Sequence, residues 1–331
     1  MSDPGTGWTL VTGAGGYVGG ELVADLVRRG ERVRAMVRDR SKAGALEKLG
    51  VPIVEADILD AASLPPALEG VVRVHHIAAL FRQAGFPESV FHEVNAEGTR
   101  RMLEASIAAG VRRFVHCSTG GVLGDVTNPP GTETSPYNPG DMYQRTKLEG
   151  EKIAMECFRS GRIRGVVIRP AMIYGPGDTR NLKMFRMIAR RRFFYAGPCK
   201  HVHFIDVRDL VRAFELAMEH EELNAEVYMI AGEKAVPLDV MAGAIARNLG
   251  VPPPWLRVPV KPLQWLGSAC EAVCTPLNLR PPLYRRRVDF FTKNRHFDAS
   301  KAARDLGFKP ARAFDDEVAD IVRWYRDNGW V

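Results

Sequence analysis

"WTLVTGAGGYVGGELVADLVRRG", residues 8–30, decides the fold. It opens with a strand-like apolar run, "WTLVTG" (8–13), and passes through Gly13, Gly16 and Gly19 into a helical "GELVADLVRRG". In a strand–loop–helix setting, glycine allows a tight turn and a close approach of backbone N–H groups to a pyrophosphate. It also lets the helix pack close to the strand. The helix N-terminus then faces the negative charge. The spacing is GxxGxxG, one residue wider at the front than the GxGxxG dinucleotide fingerprint.

Outward from this unit, apolar runs keep alternating with helical patterns. "RVRAMVR" (32–38) precedes a helical "KAGALEKLG" (42–50) and then "VPIVEAD" (51–57). "VVRVHHIAA" (71–79), a helix over 95–110 and "RRFVHCSTG" (112–120) follow. A helix over 141–159, the strand "RGVVIRP" (164–170), a helix over 209–220 and "EVYMIAG" (226–232) complete the series. The alternation predicts an α/β chain whose doubly wound parallel sheet carries helices on both faces. Residues 1–175 plus about 201–232 are expected to build that sheet domain. About 176–200 and 233–331 are richer in proline, arginine and aromatics, and are expected to form a smaller C-terminal lobe. Its expected place is the carboxyl edge of the sheet, where open α/β sheets bind ligands.

Arg38 stands nineteen residues beyond Gly19, at the end of the second strand. An acid near there accepts the ribose 2′-OH of NAD, and an arginine accommodates the 2′-phosphate of NADP. A guanidinium grips phosphate with two parallel hydrogen bonds and stacks on adenine. NADP is therefore favoured, while Asp39 keeps NAD open. After the third strand, the Asp57 carboxylate fits two roles equally well, a hydrogen bond to the adenine amino group or a helix cap.

The composition is that of an ordinary globular protein: 331 residues, 46% hydrophobic and 26% charged. The N-terminus has no basic region followed by an apolar run, so no signal peptide is expected, and no uninterrupted apolar window is long enough to span a bilayer. The stretch 255–279 is apolar but broken by Arg257, Lys261, Glu271 and prolines, and reads as a pocket lining in preference to an interface. Five scattered cysteines, with Cys270 and Cys274 the only close pair, lack zinc-ligand spacing and read as small hydrophobes in a reducing cytoplasm. The net charge of +7 gathers in "ARRRFF" (189–194) and "LRPPLYRRR" (279–287), read first as solvated faces. No basic helix, zinc knuckle or RNA-binding aromatic motif accompanies it, which disfavours nucleic acid.

Tyr143 and Lys147, in "DMYQRTKLEGEK" (141–152), share one helix face at (i, i+4) spacing. The pair alone does not separate chemistry from an exposed polar face. The charged residues after Lys147 read as a solvated or dimer-facing surface. Asn95 opens the helix over 95–110, where a cap and an active-site role both fit.

With "TGAGGYVG", "CSTGG" and "YQRTK" in this order, the chain resembles the extended short-chain dehydrogenase/reductase family, including its 3β-hydroxysteroid-dehydrogenase-like branch. The similarity runs through "HIAA" (76–79), "VNAEGTRRMLEA" (94–105), "RPAMIYGPGD" (169–178), "VHFIDVRDLVRA" (202–213) and "FDASKAARDLGFKP" (297–310). The resemblance implies a Rossmann-type sheet domain with a small substrate lobe, an NAD(P) cofactor, a small-molecule substrate, no bound metal and a homodimer without stable membrane insertion. It places the catalytic hydroxyl on Thr119 and the catalytic pair on Tyr143 and Lys147. It places Gly13, Gly16, Tyr17 and Val18 in the phosphate loop, and Arg38, Asp57 and Ile58 on ribose and adenine contacts. Ala78 falls beside the cofactor, and Pro170 and Ile173 flank the nicotinamide.

On that footing the pair has a chemical reading. A free phenol, with a pKa of ~10, is a poor base near neutrality. A lysine cation and an oxidised nicotinamide both favour the phenolate. Tyr143 then takes the alcohol proton in oxidation, or returns it in reduction. Lys147 also holds the nicotinamide ribose, and Thr119 orients the reacting oxygen. Many nucleotide-sugar enzymes of the family carry Asn where this chain has Met172, and their late Arg-x-Gly-Asp motif is not apparent. Asn181-Leu182, by contrast, resembles their substrate-binding segment. The favoured expectation is an oxidoreductase of a bulky hydrophobic alcohol or ketone. The alternatives are a nucleotide-sugar epimerase, dehydratase or decarboxylase holding NAD tightly, and a non-catalytic dinucleotide sensor.

Overall fold

Short runs rich in valine and isoleucine, bounded by glycine turns, become strands buried on both faces. The structure is a computed structural model and describes residues 7–81, 86–274 and 290–331. Six strands come first: β1 (Trp8–Thr12), β2 (Val33–Val37), β3 (Ile53–Glu55), β4 (Val71–His76), β5 (Arg113–Cys117) and β6 (Arg164–Pro170). β7 (Met172–Tyr174) and β8 (Phe204–Asp206) pair with each other beside the main sheet, and β9 (Glu226–Ile230) returns to it. The sheet order is β9-β6-β5-β4-β1-β2-β3, with every neighbouring pair parallel. Chain order reverses between β1 and β4, which opens a crevice at their carboxyl ends.

Successive strand residues face opposite sides. Val11, Val115, Val166 and Ile168 pack with α1 (Tyr17–Arg28), while Leu10, Val74, Phe114 and Val167 pack with α2 (Gly98–Ala108) and α3 (Met142–Arg159). A second apolar core joins α4 (Leu182–Ala189) to residues that follow α5 (Val207–Glu219), chiefly α6 (Leu238–Leu249) and Phe314–Asp327. α5 itself lies on the first core through Leu210 and Phe214. α7 (Val260–Cys274) follows α6. Among the described residues, no helix is long and apolar enough to cross a membrane.

Three local expectations need correction. The helix expected over 42–50 is reduced to a 3-10 turn, Arg40–Lys42, and one α turn, Gly44–Glu47. Asp39 caps the first by accepting from the Ser41 backbone N–H at 3.0 Å, and Gly50 closes the segment at φ +69°. Asn95 does not open a helix: it lies inside a π-helical turn, Glu93–Glu97, between Glu88–His92 and α2. Within 255–274 the two tryptophans do not line a pocket, since Trp255 is 83% and Trp265 79% exposed. Residues 275–279 and the 279–287 arginine cluster lie outside the described residues.

Candidate functional site

The carboxyl ends of six adjacent strands bring the candidate residues to one edge. Gly13 follows β1 at φ +68°, and a Cβ there would stand 2.8 Å from the Ala78 amide nitrogen. A Cβ on Gly19 would meet the Gly13 carbonyl oxygen at 2.3 Å. The loop thus closes against both the β4 exit and its own helix, as a phosphate-cradling turn requires. Gly16 is the cap residue of α1 and offers no side-chain cap, leaving the first-turn N–H groups available to an anion. Val18 is buried in the first core. Thr12 stitches the two loops together, its Oγ1 accepting from the Ile77 and Ala78 amides at 3.1 Å each.

Tyr17 donates its hydroxyl to the Pro176 carbonyl at 3.0 Å, and burial and nearby carboxylates push its pKa up. The Arg180 guanidinium lies 5.0 Å from the Tyr17 ring centre and 5.9 Å from that of Phe81. Arg38 is exposed at the end of β2 and forms no ion pair among the described residues. Asp39 is already turned back on Ser41, whose hydroxyl donates to it at 2.6 Å. Asp57 accepts from the Leu59 amide at 2.9 Å, closing its own loop, while Asp60 is the residue that caps the following turn. Ile58 is buried against the second face of the sheet.

α3 begins where the Asp141 carboxylate accepts from the Gln144 amide at 2.9 Å. This start places Tyr143 in the first turn, 9% exposed, with its ring edge-on to Phe81 at 5.1 Å. Lys147 is 2% exposed and donates from Nζ to the Cys117 carbonyl at 2.6 Å, at the end of β5. Burial pushes the Lys147 ammonium pKa down, against the opposing pull of Cys117 and Glu151. Two residues past Cys117, Thr119 caps a short turn by accepting from the Gly121 amide at 3.1 Å. Thr119, Tyr143 and Lys147 therefore belong to two elements tied by the Lys147–Cys117 bond. Pro170 ends β6, and Ile173 sits in β7, where its carbonyl accepts from the Asn181 side chain at 3.0 Å.

Asn181 also donates to the buried Asp178 carboxylate at 2.6 Å, so its amide is spent within the chain. Leu182 is packed in the second core, and Met172 lies against it.

Two further groups support the site, and sequence reasoning missed the first of them. Glu151, read as a solvated charge, is 1% exposed and pairs with Arg169 through both oxygens, at 2.5 and 3.0 Å. It also accepts from the Ser118 hydroxyl at 2.6 Å and the Tyr137 hydroxyl at 3.1 Å. Asn95 is fully buried, accepts from the Leu80 amide at 2.8 Å and donates to Thr146 Oγ1 at 3.0 Å. It pins the Phe81 side of the site to α3. Glu133 accepts from the Met229 amide at 2.8 Å and so caps an edge of β9.

A parallel sheet with this strand order, a glycine loop at the switch point and a buried Tyr–Lys helix face define a dinucleotide-dependent enzyme of the doubly wound α/β class. Residues 9–231 match the NAD dependent epimerase/dehydratase family. The chain is 32% identical to sterol demethylase protein B of Methylococcus capsulatus, over 98% of this chain and 99% of that protein. It is 29% identical to a 3-beta-hydroxysteroid dehydrogenase of Mycolicibacterium neoaurum, over 99% of this chain and 94% of that one. The dTDP-glucose 4,6-dehydratase of Streptomyces venezuelae, solved with NAD bound, superimposes with a TM-score of 0.77 at 25% identity, covering 98% of each chain. The protein belongs to the NAD-dependent epimerase/dehydratase family and is an extended short-chain dehydrogenase/reductase enzyme.

Proposed function

We propose that this enzyme interconverts a secondary alcohol and a ketone on a bulky, apolar substrate, with Tyr143 as the acid/base. The observation that carries the reading is the burial of Tyr143 and Lys147 on one α3 face, tied by Lys147 to the β5 end that bears Thr119. A nicotinamide dinucleotide, when bound, supplies the hydride chemistry. Gly13, Gly16, Tyr17 and Val18 would hold its pyrophosphate, and Ala78, Pro170 and Ile173 would line the crevice beyond. The exposed cation of Arg38, with Asp39 spent on Ser41, supports a preference for NADP over NAD.

In oxidation, the Tyr143 phenolic oxygen takes the proton of the substrate hydroxyl; in reduction it returns one to the carbonyl oxygen. Lys147 would place positive charge near that oxygen and would help hold the ribose of a bound dinucleotide. Thr119 fixes the reacting oxygen by a hydrogen bond. The second apolar core, with its short strands around 195–202, would form the substrate lobe and set specificity. The α3 face is the proposed dimer contact, as in the family resemblance, and the cytoplasm the proposed compartment.

The commitment of Asn181 to Asp178 and Ile173, and the presence of Met172, favour a substrate without a diphosphate. The 3-beta-hydroxysteroid dehydrogenase likeness supports an apolar one. The test is a thermal-shift screen of ketones and nucleotide sugars with each cofactor, followed by turnover of Tyr143→Phe on the best ligand. A shift by an apolar ketone and loss of turnover in the variant are expected. A strong shift by UDP alone would transfer the reading to nucleotide-sugar chemistry, and full turnover by Tyr143→Phe would remove the acid/base assignment.

A further inference from the structure

Cations mark the crevice in order along the sheet edge. Arg38 follows β2, and Lys147 is bound to the Cys117 carbonyl that ends β5. Arg180 stands between them, its guanidinium 5.0 Å from the ring centre of Tyr17, which opens α1 after β1. The same guanidinium is 5.9 Å from the ring centre of Phe81, beyond the end of β4. In the order β5-β4-β1-β2, that puts Arg180 across the switch point itself. A dinucleotide bound to such a sheet straddles this point, with its pyrophosphate in the middle at the helix N-terminus. The glycine loop brings no cation there: the stretch from Gly13 to Val18 carries none, and the first basic residue of α1 is Arg28, in its last turn.

Arg180 is aimed by its neighbours. Nε donates to the buried Asp178 carboxylate at 2.7 Å and Nη2 to the Ile173 carbonyl at 3.3 Å, while Nη1 has no hydrogen-bond partner among the described residues. Asp178 is held in turn from the second core, where Tyr325 donates its hydroxyl to the Asp178 carbonyl at 2.5 Å. The charge bears on the interior of the crevice: burial raises the pKa of the Cys117 thiol, and Lys147 and Arg180 both pull it back. Phe81 meets Tyr143 edge-on at 5.1 Å. Tyr17, Arg180, Phe81 and Tyr143 therefore form one row of contacts from the glycine loop to the proposed acid/base.

We infer that Arg180 supplies the cation of the pyrophosphate site, with Nη1 pairing with the diphosphate common to NAD and NADP. This role rests on the dinucleotide reading above and adds the charge that the glycine loop lacks. A guanidinium matches phosphate oxygens with a planar fork of N–H groups, and aromatic faces beside it hold that fork in place. The effect is distinct from that of Arg38, which would meet only the 2′-phosphate of NADP. Asp178 does not depend on the guanidinium alone. It also accepts from the Arg180 backbone amide at 3.0 Å and from both nitrogens of Asn181, at 3.2 and 2.6 Å, so the loop keeps its hold when the side chain is changed.

The test is calorimetric titration of the intact protein with NADPH, NADH, ADP-ribose and adenosine. Arg180→Gln is expected to weaken the three diphosphate ligands by one common factor of at least about tenfold and to leave adenosine unchanged. Arg180→Lys, which keeps the charge without the fork, should weaken the same three by a smaller factor. Melting curves of both variants should match the parent. Equal binding of the diphosphate ligands by the parent and either variant overturns the proposal. So does a loss that adenosine shares, which would make Arg180 a support of the fold. Tighter binding by Arg180→Gln also overturns it, since Arg180 would then be a plug in the crevice. A parent that binds none of the three fails the dinucleotide reading itself, and this role with it, so the two failures are told apart.

Discussion

Glu151 and Arg169 form a two-point ion pair with both side chains 1% exposed, one helical turn beyond Lys147. The pair joins α3 to β6, and the Ser118 hydroxyl ties β5 to the same carboxylate. Removing one partner leaves a buried charge uncompensated, which costs about 3–5 kcal/mol. Glu151→Gln is therefore expected to lower stability by about that amount in urea unfolding. The double variant Glu151→Leu/Arg169→Met, which leaves no orphaned charge, should recover most of the loss. A double variant no better than the single would show that the network acts through Ser118 and Tyr137 instead.

Lys147 carries the opposite balance of stability and function. Its ammonium is buried and its pKa pushed down, so the folded state is strained by holding the charge. Lys147→Met is expected to keep or raise the unfolding temperature while lowering kcat/KM by at least about 10²-fold. Parallel melting curves and turnover assays check this. A variant that lost stability as well would make the Lys147–Cys117 bond a structural requirement first.

Where the constraint is local, the chain announces it. Gly19 is fixed by its close approach to the Gly13 carbonyl six residues back, so strand, loop and helix could be read together. Tyr143 and Lys147 share a face by helical spacing alone. Glu151 was misread because its partners, Arg169 and Ser118, come from β6 and β5 and meet it only after folding. A signal was present: Glu151 stands at (i, i+4) from Lys147, so an inward Tyr–Lys face must carry it inward too. Asn95 reads as a helix start, not an interior position, because the π turn around it leaves the apolar spacing almost unchanged. Trp255 and Trp265 read in sequence as a pocket lining because the exposure of an apolar residue is invisible without its neighbours.

Cofactor choice should turn on Arg38. Its guanidinium is exposed at the end of β2, and Asp39 is held by Ser41, so a 2′-phosphate would meet a cation and no free acid. Charge-assisted hydrogen bonds of this kind contribute about 2 kcal/mol, a factor of roughly 30. Arg38→Ala is expected to weaken NADPH binding by about that factor and leave NADH nearly unchanged, measured by titration of each. Tighter NADH binding by the parent, indifferent to the substitution, would refute the NADP preference.

Acid should unfold this protein through its buried histidines. Burial pushes the pKa of His75 and His76 down to about 3 and that of His203 down to about 4, and drives His116 well below its ordinary value. His116 stacks on His76 at 5.6 Å, with the Lys147 charge nearby and, among the described residues, no hydrogen bond to either ring nitrogen. Each of these rings is neutral when folded and protonates near pH ~6.5 when unfolded. The unfolded chain thus binds more protons below that pH, and stability falls as pH drops from about 6.5 toward the folded values. Each ring contributes a slope of about 1.4 kcal/mol per pH unit in that window. Glu215 and Glu317, raised to about 8, carry the opposite sign, favouring the folded state below pH ~4.5 and losing that contribution as pH rises through 8. A difference measurement separates the two: His116→Leu should remove one histidine's share of the slope between pH ~6.5 and ~4 and leave the carboxylates' share intact. Urea midpoints of parent and variant across that range give the comparison, and parallel curves would mean that His116 protonates without cost.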